Sequence, residues 1–170
     1  MRLDTGMLDH LRATRTIVLV TGTNGKSTTS QLLAHALSSL GTIATGDGAN
    51  RIPGLVSGMI SAPRSTIAAL ETREVEAGEV IDVLRPTLLI LLNLSNDVDR
   101  EADAAALEED LRERLTAHPG TIIIANCDDV LITSIAFDAR SVVWVAAGTG
   151  AEGLVRACPR CTGLINVRRA

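Results

Sequence analysis

Apolar and polar positions alternate along this chain on two length scales. Short apolar runs recur at Thr16–Thr21, Thr42–Thr45, Thr66–Leu70, Thr87–Leu92, Thr121–Ala125 and Ser141–Ala146. Each is the length of a strand, and β-branched residues dominate most of them. Amphipathic stretches of helical length separate them. Leu3 to Thr14 predicts a short helix, and the run beginning at Gln31 predicts a helix to about Leu40, with Gly41 placed to end it. Glu74–Leu84 predicts a helix that stops before Pro86, because the residue preceding a proline is pushed out of helical geometry. Glu101–Ala117 carries Leu107, Leu111 and Leu115 at i, i+4 and i+8 on one face. A short helix precedes the last strand. The stretch Gly46–Gly54 is too rich in glycine for a regular element and reads either as a plain connection or as a loop passing close to a ligand.

Strand and helix in repeated alternation predict an α/β fold with a doubly wound, mainly parallel sheet. Thr87–Leu92 is almost wholly apolar, as expected of a central parallel strand covered on both faces. In such sheets ligands bind beyond the carboxyl ends of the strands. Gly22–Ser27, Glu71, Asn93–Asp99 and Asn126–Asp129 all follow predicted strands, so they belong to one edge of the sheet.

Composition narrows the classes. At 170 residues and 46% hydrophobic, the chain can bury a sizeable core. A net charge of −4, with Phe137 and Trp144 as its aromatics, argues against a nucleic-acid surface built on basic stripes or stacked bases. No run approaches the ~18 apolar residues of a transmembrane segment, and the N-terminus has no apolar core of a signal peptide. Three cysteines, two of them in Cys158-Pro159-Arg160-Cys161, suggest a reduced compartment. The expectation is a soluble cytoplasmic protein.

The strongest chemical signal is Gly22-Thr23-Asn24-Gly25-Lys26-Ser27-Thr28-Thr29, between the first strand and its helix. A strand, a glycine turn and a helix N-terminus in that order direct backbone N–H groups and the helix dipole at a phosphate. Lys26 is placed to reach the outer phosphates and Ser27 to offer its hydroxyl to Mg²⁺. The strict P-loop pattern has a further glycine where Val20 stands, so only a shorter form of it is present. Lys26 is also the sole lysine among sixteen Lys and Arg residues. A chain that otherwise uses arginine keeps a compact point charge here.

Other candidates have two readings each. Glu71 is a ligand for Mg²⁺ or a carboxylate stabilised at a helix start, with Glu74 a second candidate for the metal role. Asp97 and Asp99 orient metal or substrate, or belong to an aspartate-rich turn. Asn126 meets an adenine edge, or caps the helix that follows. Cys158 and Cys161 have the spacing of half a tetrahedral zinc site, or form a free dithiol. Cys127 reads as a small buried residue.

The glycine-lysine loop resembles that of the Mur ligases and folylpolyglutamate synthases, ATP-dependent enzymes that activate a carboxylate as an acyl phosphate and then form an amide. Gly48-Ala49-Asn50, Leu70-Glu71, Leu92-Asn93-Leu94-Ser95-Asn96-Asp97 with Asp99-Arg100, Ala125-Asn126-Cys127-Asp128-Asp129 and the cysteine pair resemble, more narrowly, the MurT family of synthetase subunits. That resemblance implies ATP phosphates on Gly22, Thr23, Asn24, Gly25, Lys26, Ser27 and Thr28, with Mg²⁺ on Ser27 and Glu71. It also implies adenine at Asn126, catalytic roles for Lys26 and Asp97, and zinc at Cys158 and Cys161. The implied reaction amidates the D-glutamate α-carboxyl of lipid II in peptidoglycan synthesis, with ammonia from a GatD-like glutaminase partner. The corresponding division is a helical lead-in at 1–14, a partial central domain at 15–150 and a partial zinc-ribbon segment at 151–170.

The sequence departs from the family in three ways. Ser95–Arg100 is a residue shorter than the usual form. With Lys26 alone, no carbamylated lysine can hold a second metal, as in many Mur ligases. The family also continues through a full zinc ribbon and a C-terminal domain, so weak or absent ligase activity is expected of this chain alone. Two alternatives are another ligase of the Mur or folylpolyglutamate type and a non-catalytic nucleotide-binding module.

Overall fold

Six apolar runs pair into one parallel sheet against which the intervening helices pack, the last run, Val142–Val145, being largely exposed. The computed structural model describes residues 4–46, 51–94, 104–146, 158–161 and 163–164. In chain order the elements are α1 (Thr5–Thr14), β1 (Thr16–Thr21), α2 (Lys26–Leu37) with a 3₁₀ turn (Ser38–Leu40), β2 (Ile43–Thr45), α3 (Ile52–Ser61) and β3 (Ile67–Thr72). They continue with α4 (Glu74–Leu84), β4 (Leu88–Leu91), α5 (Ala104–Ala117), β5 (Ile122–Asn126), α6 (Val130–Ala136) and β6 (Val142–Val145). The sheet order is β2-β3-β1-β4-β5-β6, with every pairing parallel.

β1 is the most enclosed strand, with Ile17 through Thr21 all buried. The chain leaves β1 toward β2 and leaves β4 toward β5, in opposite directions across the sheet. A crevice opens where two neighbouring connections diverge in this way. The β1–α2 loop therefore occupies the ligand position of the fold. Arg85, the residue before Pro86, sits at φ 47 and donates its N–H to Ile81 O at 2.8 Å, closing α4 where the proline demands.

The structure corrects several expectations. β4 alternates rather than being covered on both faces, with Leu89 and Leu91 buried and Leu88 and Ile90 only partly so. α2 ends at Leu37, and the last turn tightens into a 3₁₀ turn before Gly41. The lead-in helix α1, amphipathic as its sequence suggests, contributes Leu8 and Leu11 to the common core.

The glycine-rich stretch around Pro53 is not wholly a loop. Residues 47–50 lie outside the described residues, but Ile52 begins α3, with Pro53 in its first turn, where a missing N–H costs nothing. Ile52, Leu55, Val56 and Met59 then fall at i, i+3, i+4 and i+7 and are all buried. Gly58 shows why glycine was retained in this helix. A Cβ there would lie 2.0 Å from the Thr45 carbonyl oxygen and 3.1 Å from Gly46 Cα, so α3 packs backbone to backbone against the end of β2.

This contact yields a stability prediction. Gly58→Ala gains about 1 kcal/mol of helix propensity, but the opposing atom is strand backbone and cannot swing aside. Overpacking of about 1–3 kcal/mol should prevail and lower Tm by several degrees in thermal unfolding followed by circular dichroism. Gly120→Ala, whose added carbon meets nothing within 4 Å, is the control and should leave Tm unchanged. An unaltered Tm for Gly58→Ala would refute the close-packing account.

Candidate nucleotide site

The loop after β1 is shaped by its neighbour β4. Gly22 has φ +147, and a Cβ built on it would come within 2.9 Å of Leu92 Cβ and 3.0 Å of both Asn93 N and Asn93 O. Any side chain here would be strained and would push the loop off the end of β4. Thr23 N–H donates to Asn93 O at 2.9 Å. The Asn93 side chain then grips the next residue by both backbone groups: Asn24 N–H donates to Oδ1 at 2.9 Å, and Nδ2 donates to Asn24 O at 3.0 Å. This double bond reproduces a strand pairing with a side chain. It fixes the loop although the usual first glycine of a P-loop is replaced by Val20, which is fully buried in β1.

Gly25, with φ 83, is the N-cap of α2 and contributes no side-chain cap. The first-turn amides of Lys26, Ser27 and Thr28 have no acceptor within the helix. They sit at the positive end of its dipole, beside a largely exposed loop. An anion is the natural complement of this arrangement.

Lys26 is held from three sides. Its Nζ donates to Gly22 O at 2.6 Å and Thr23 O at 3.0 Å, and lies 3.7 Å from Glu74 Oε2. Both side chains are largely buried, at 14% and 11% exposure. A partly desolvated charge requires such partners, and they keep the ammonium folded over the loop. Glu74, the second candidate for the metal, is placed here as a partner of Lys26.

Ser27 and Glu71, the two residues that the resemblance assigns to Mg²⁺, lie side by side, with one correction of placement. Glu71 does not follow its strand; it lies within β3, opposite Val20 of β1. Ser27 Oγ donates to Glu71 Oε1 at 2.8 Å. One exposed hydroxyl and one carboxylate beside a phosphate site fit Mg²⁺, which binds few protein oxygens and completes its shell with water and phosphate. Among the described residues, no three His, Cys, Asp or Glu side chains converge to form an all-protein cage.

The remaining candidates fall into three groups. Asn126 closes the other side of the β4 loop. Its Nδ2 donates to Leu92 O at 2.8 Å and its Oδ1 accepts from Asp128 N–H at 3.0 Å. Asn126 is the last residue of β5, and one donor and one lone pair remain for any further partner. Asp129 caps α6, accepting from Leu131 and Ile132 N–H, and its Oδ2 takes Leu94 N–H at 2.8 Å. Asp97 and Asp99 lie outside the described residues. Cys127 is exposed rather than buried.

Cys158 and Cys161 lie close together in a turn closed by Cys158 N–H donating to Gly163 O at 2.7 Å. Hydrogen bonds from the backbone of Arg160 and Cys161, then from the Cys161 thiol, lower the Cys158 pKa, and the Arg160 charge adds to the effect. Two thiols converge without a third Cys, His, Asp or Glu among the described residues, whereas a structural zinc site takes four ligands. The described residues therefore do not fit a closed zinc site, and zinc has no part in the functional reading. Arg160 anchors the turn instead, donating to Ser134 Oγ at 2.9 Å and to Asp138 at 2.7 Å, with its guanidinium 5.4 Å from the Phe137 ring centroid.

The sequence places Asn93 at the ligand edge of the sheet without a role of its own and gives no role to Ser30, which also reaches Glu71. The available signals were an asparagine immediately after a strand adjacent to the loop strand, and a hydroxyl three residues beyond Ser27 on one helix face.

Comparison with known proteins identifies the family. The family described as Mur ligase middle domain matches residues 20–152. The lipid II isoglutaminyl synthase (glutamine-hydrolyzing) subunit MurT of Staphylococcus aureus (strain COL) is 27% identical over 177 residues, covering 96% of this chain and 40% of that protein. The MurT subunit of Streptococcus pneumoniae is 28% identical over 181 residues, covering 97% and 40%. The chain thus spans about two fifths of the length of these relatives. A pseudomurein peptide ligase type C from Methanothermus fervidus shares the fold, with a TM-score of 0.68 over 93% of this chain and 34% of that one, at 18% identity. A Mur-type sheet, its loop clasped by Asn93 and its family match over most of the chain converge on one conclusion: the chain belongs to the Mur ligase family, through its middle domain.

Proposed function

We propose that this chain is the Mg-ATP-binding part of a MurT-like amide ligase of peptidoglycan synthesis. The observation that carries the proposal is the loop Gly22–Ser27, held by Asn93 with Lys26 above it and the Ser27–Glu71 pair at its end. The MurT relatives and the family match support the choice of reaction. The substrate is lipid II, the group activated is the α-carboxyl of its D-glutamate, and the compartment is the cytoplasm.

The first-turn amides of α2, from Lys26 to Thr28, and the Lys26 ammonium bind the triphosphate, while the Thr23 and Asn24 amides stay with Asn93, and Lys26 offsets negative charge on the outer phosphates. Mg²⁺, held by Ser27 and Glu71, supplies further neutralisation of that charge when bound. A carboxylate oxygen of the substrate attacks the γ-phosphorus, the bond to the β-phosphate oxygen breaks, and ADP leaves. Ammonia from a GatD-like glutaminase then attacks the acyl carbon, phosphate leaves, and a proton is lost to give the amide. Asp97 is assigned to orienting metal or substrate, and Asn126 to the adenine edge with its remaining hydrogen-bonding capacity.

Two predictions follow from the clasped loop. In calorimetric titration with Mg-ATP, Lys26→Ala should weaken binding by roughly tenfold to a hundredfold, the worth of a lost charged hydrogen bond. Lys26→Arg should not restore it, because a planar fork cannot occupy the seat between Gly22 O and Thr23 O. Saturable binding unchanged in Lys26→Ala would sink the reading.

Asn93→Ala removes both side-chain bonds to Asn24 while leaving the Lys26 ammonium and the first-turn amides of α2 in place. At about 0.5–1.5 kcal/mol per bond, ATP affinity should fall roughly tenfold, with a smaller effect on Tm than on binding. Equal affinity in parent and Asn93→Ala would show that the loop holds its shape without the clasp.

A further inference from the structure

Ser30 lies outside the Gly22–Thr29 motif, one turn into α2. Its Oγ donates to Glu71 Oε2 at 2.7 Å, while Ser27 Oγ donates to Glu71 Oε1 at 2.8 Å. The two serines, three residues apart on one helix face, therefore hold one oxygen each of the same carboxylate. Ser30 Oγ also lies 3.2 Å from Ser27 O, the usual contact of a helical serine with its own backbone. The hydroxyl has one proton, and the shorter contact, to the charged acceptor, takes it.

We propose that Ser30 is a positioning residue for Glu71: by holding Oε2 it presents Oε1, beside Ser27 Oγ, as a divalent-cation ligand. This inference rests on the Mg-ATP reading given above. A cation bound by Oε1 and Ser27 Oγ displaces the hydrogen bond between those atoms, so Ser27 stops orienting the carboxylate once the metal is bound. The Ser30 bond engages the other oxygen and survives that exchange. Both ends of the contact are anchored in regular structure. Ser30 is on α2, and Glu71 is locked in β3 by its pairing with β1. Partners of metal ligands commonly govern metal affinity by 10–100-fold.

The test is calorimetric titration of ATP into the full chain over a series of Mg²⁺ concentrations and in EDTA, for parent, Ser30→Ala and Ser30→Thr. Ser30→Ala should need about tenfold more Mg²⁺ for half of the metal-dependent gain in ATP affinity. Its metal-free affinity should stay within about twofold of the parent, and Ser30→Thr, which keeps the hydroxyl, should restore the Mg²⁺ midpoint. In a Glu71→Gln background, Ser30→Ala should shift the Mg²⁺ midpoint no further, since the two residues act as one. A parent-like midpoint in Ser30→Ala overturns the proposal and leaves the Mg-ATP reading intact. So does an equal loss with and without metal, which would mark Ser30 as a structural helix residue. A parent chain that binds ATP with no Mg²⁺ dependence overturns both.

Discussion

The site depends on one constraint: the loop after β1 must lie flat against the end of β4. At Gly22 the two backbones approach so closely that a single carbon would collide with Leu92 and Asn93. Asn93 converts this proximity into a fixed geometry by bonding both backbone groups of Asn24. Lys26 adds a second hold from within the loop by donating to Gly22 O and Thr23 O. Asn93 is in turn set by its own surroundings, because Asn126 holds Leu92 O and Asp129 holds Leu94 N–H on either side of it. The three strand ends β1, β4 and β5 are thus laced in series, and the phosphate loop is the last link.

That lacing has an electrostatic counterpart. Lys26 is bound by two carbonyls and Glu74 before any ligand arrives. Burying an ammonium without partners would be costly, and these contacts place the charge close to the loop amides. A triphosphate can then be met by a charge already localised, with little side-chain freedom left to lose. The single lysine of an arginine-rich chain is explained by this seat. Two carbonyl oxygens and one carboxylate oxygen around a point suit an ammonium, not a planar guanidinium.

Much of the fold was legible because it rests on local pattern. The bounds of β1 and α4 follow from apolar periodicity and from Pro86. What was missed depended on contacts between distant segments. The start of α3 lies in the stretch Gly46–Gly54, whose glycine content predicts no regular element; Pro53 is harmless in a first turn, and only the approach of Thr45 O explains Gly58. The clasp by Asn93, the Lys26–Glu74 pair and the second hold on Glu71 by Ser30 join residues from 41 to 69 positions apart. Periodicity carries no information about such pairs. It also placed Glu71 outside its strand, because a charged residue normally ends an apolar run.

The placement of Glu71 bears on how such a site achieves precision. A carboxylate on a loop would have to be ordered by its ligand, at a cost in conformational entropy. Glu71 instead projects from the next-to-last pair of the β3–β1 register, with Thr72 beyond it fully buried and its carbonyl taken by Thr21 Oγ1 at 3.2 Å. The strand fixes its Cα, and two serines of α2 fix its oxygens. Ser27 lies on that helix only one residue from Lys26. The metal-binding pair and the phosphate-binding amine are therefore referred to the same rigid element, whose N-terminus is located by the Asn93 clasp. A change at Asn93 is felt at Lys26 and at the Ser27–Glu71 pair together, since both are carried by the helix that the loop begins.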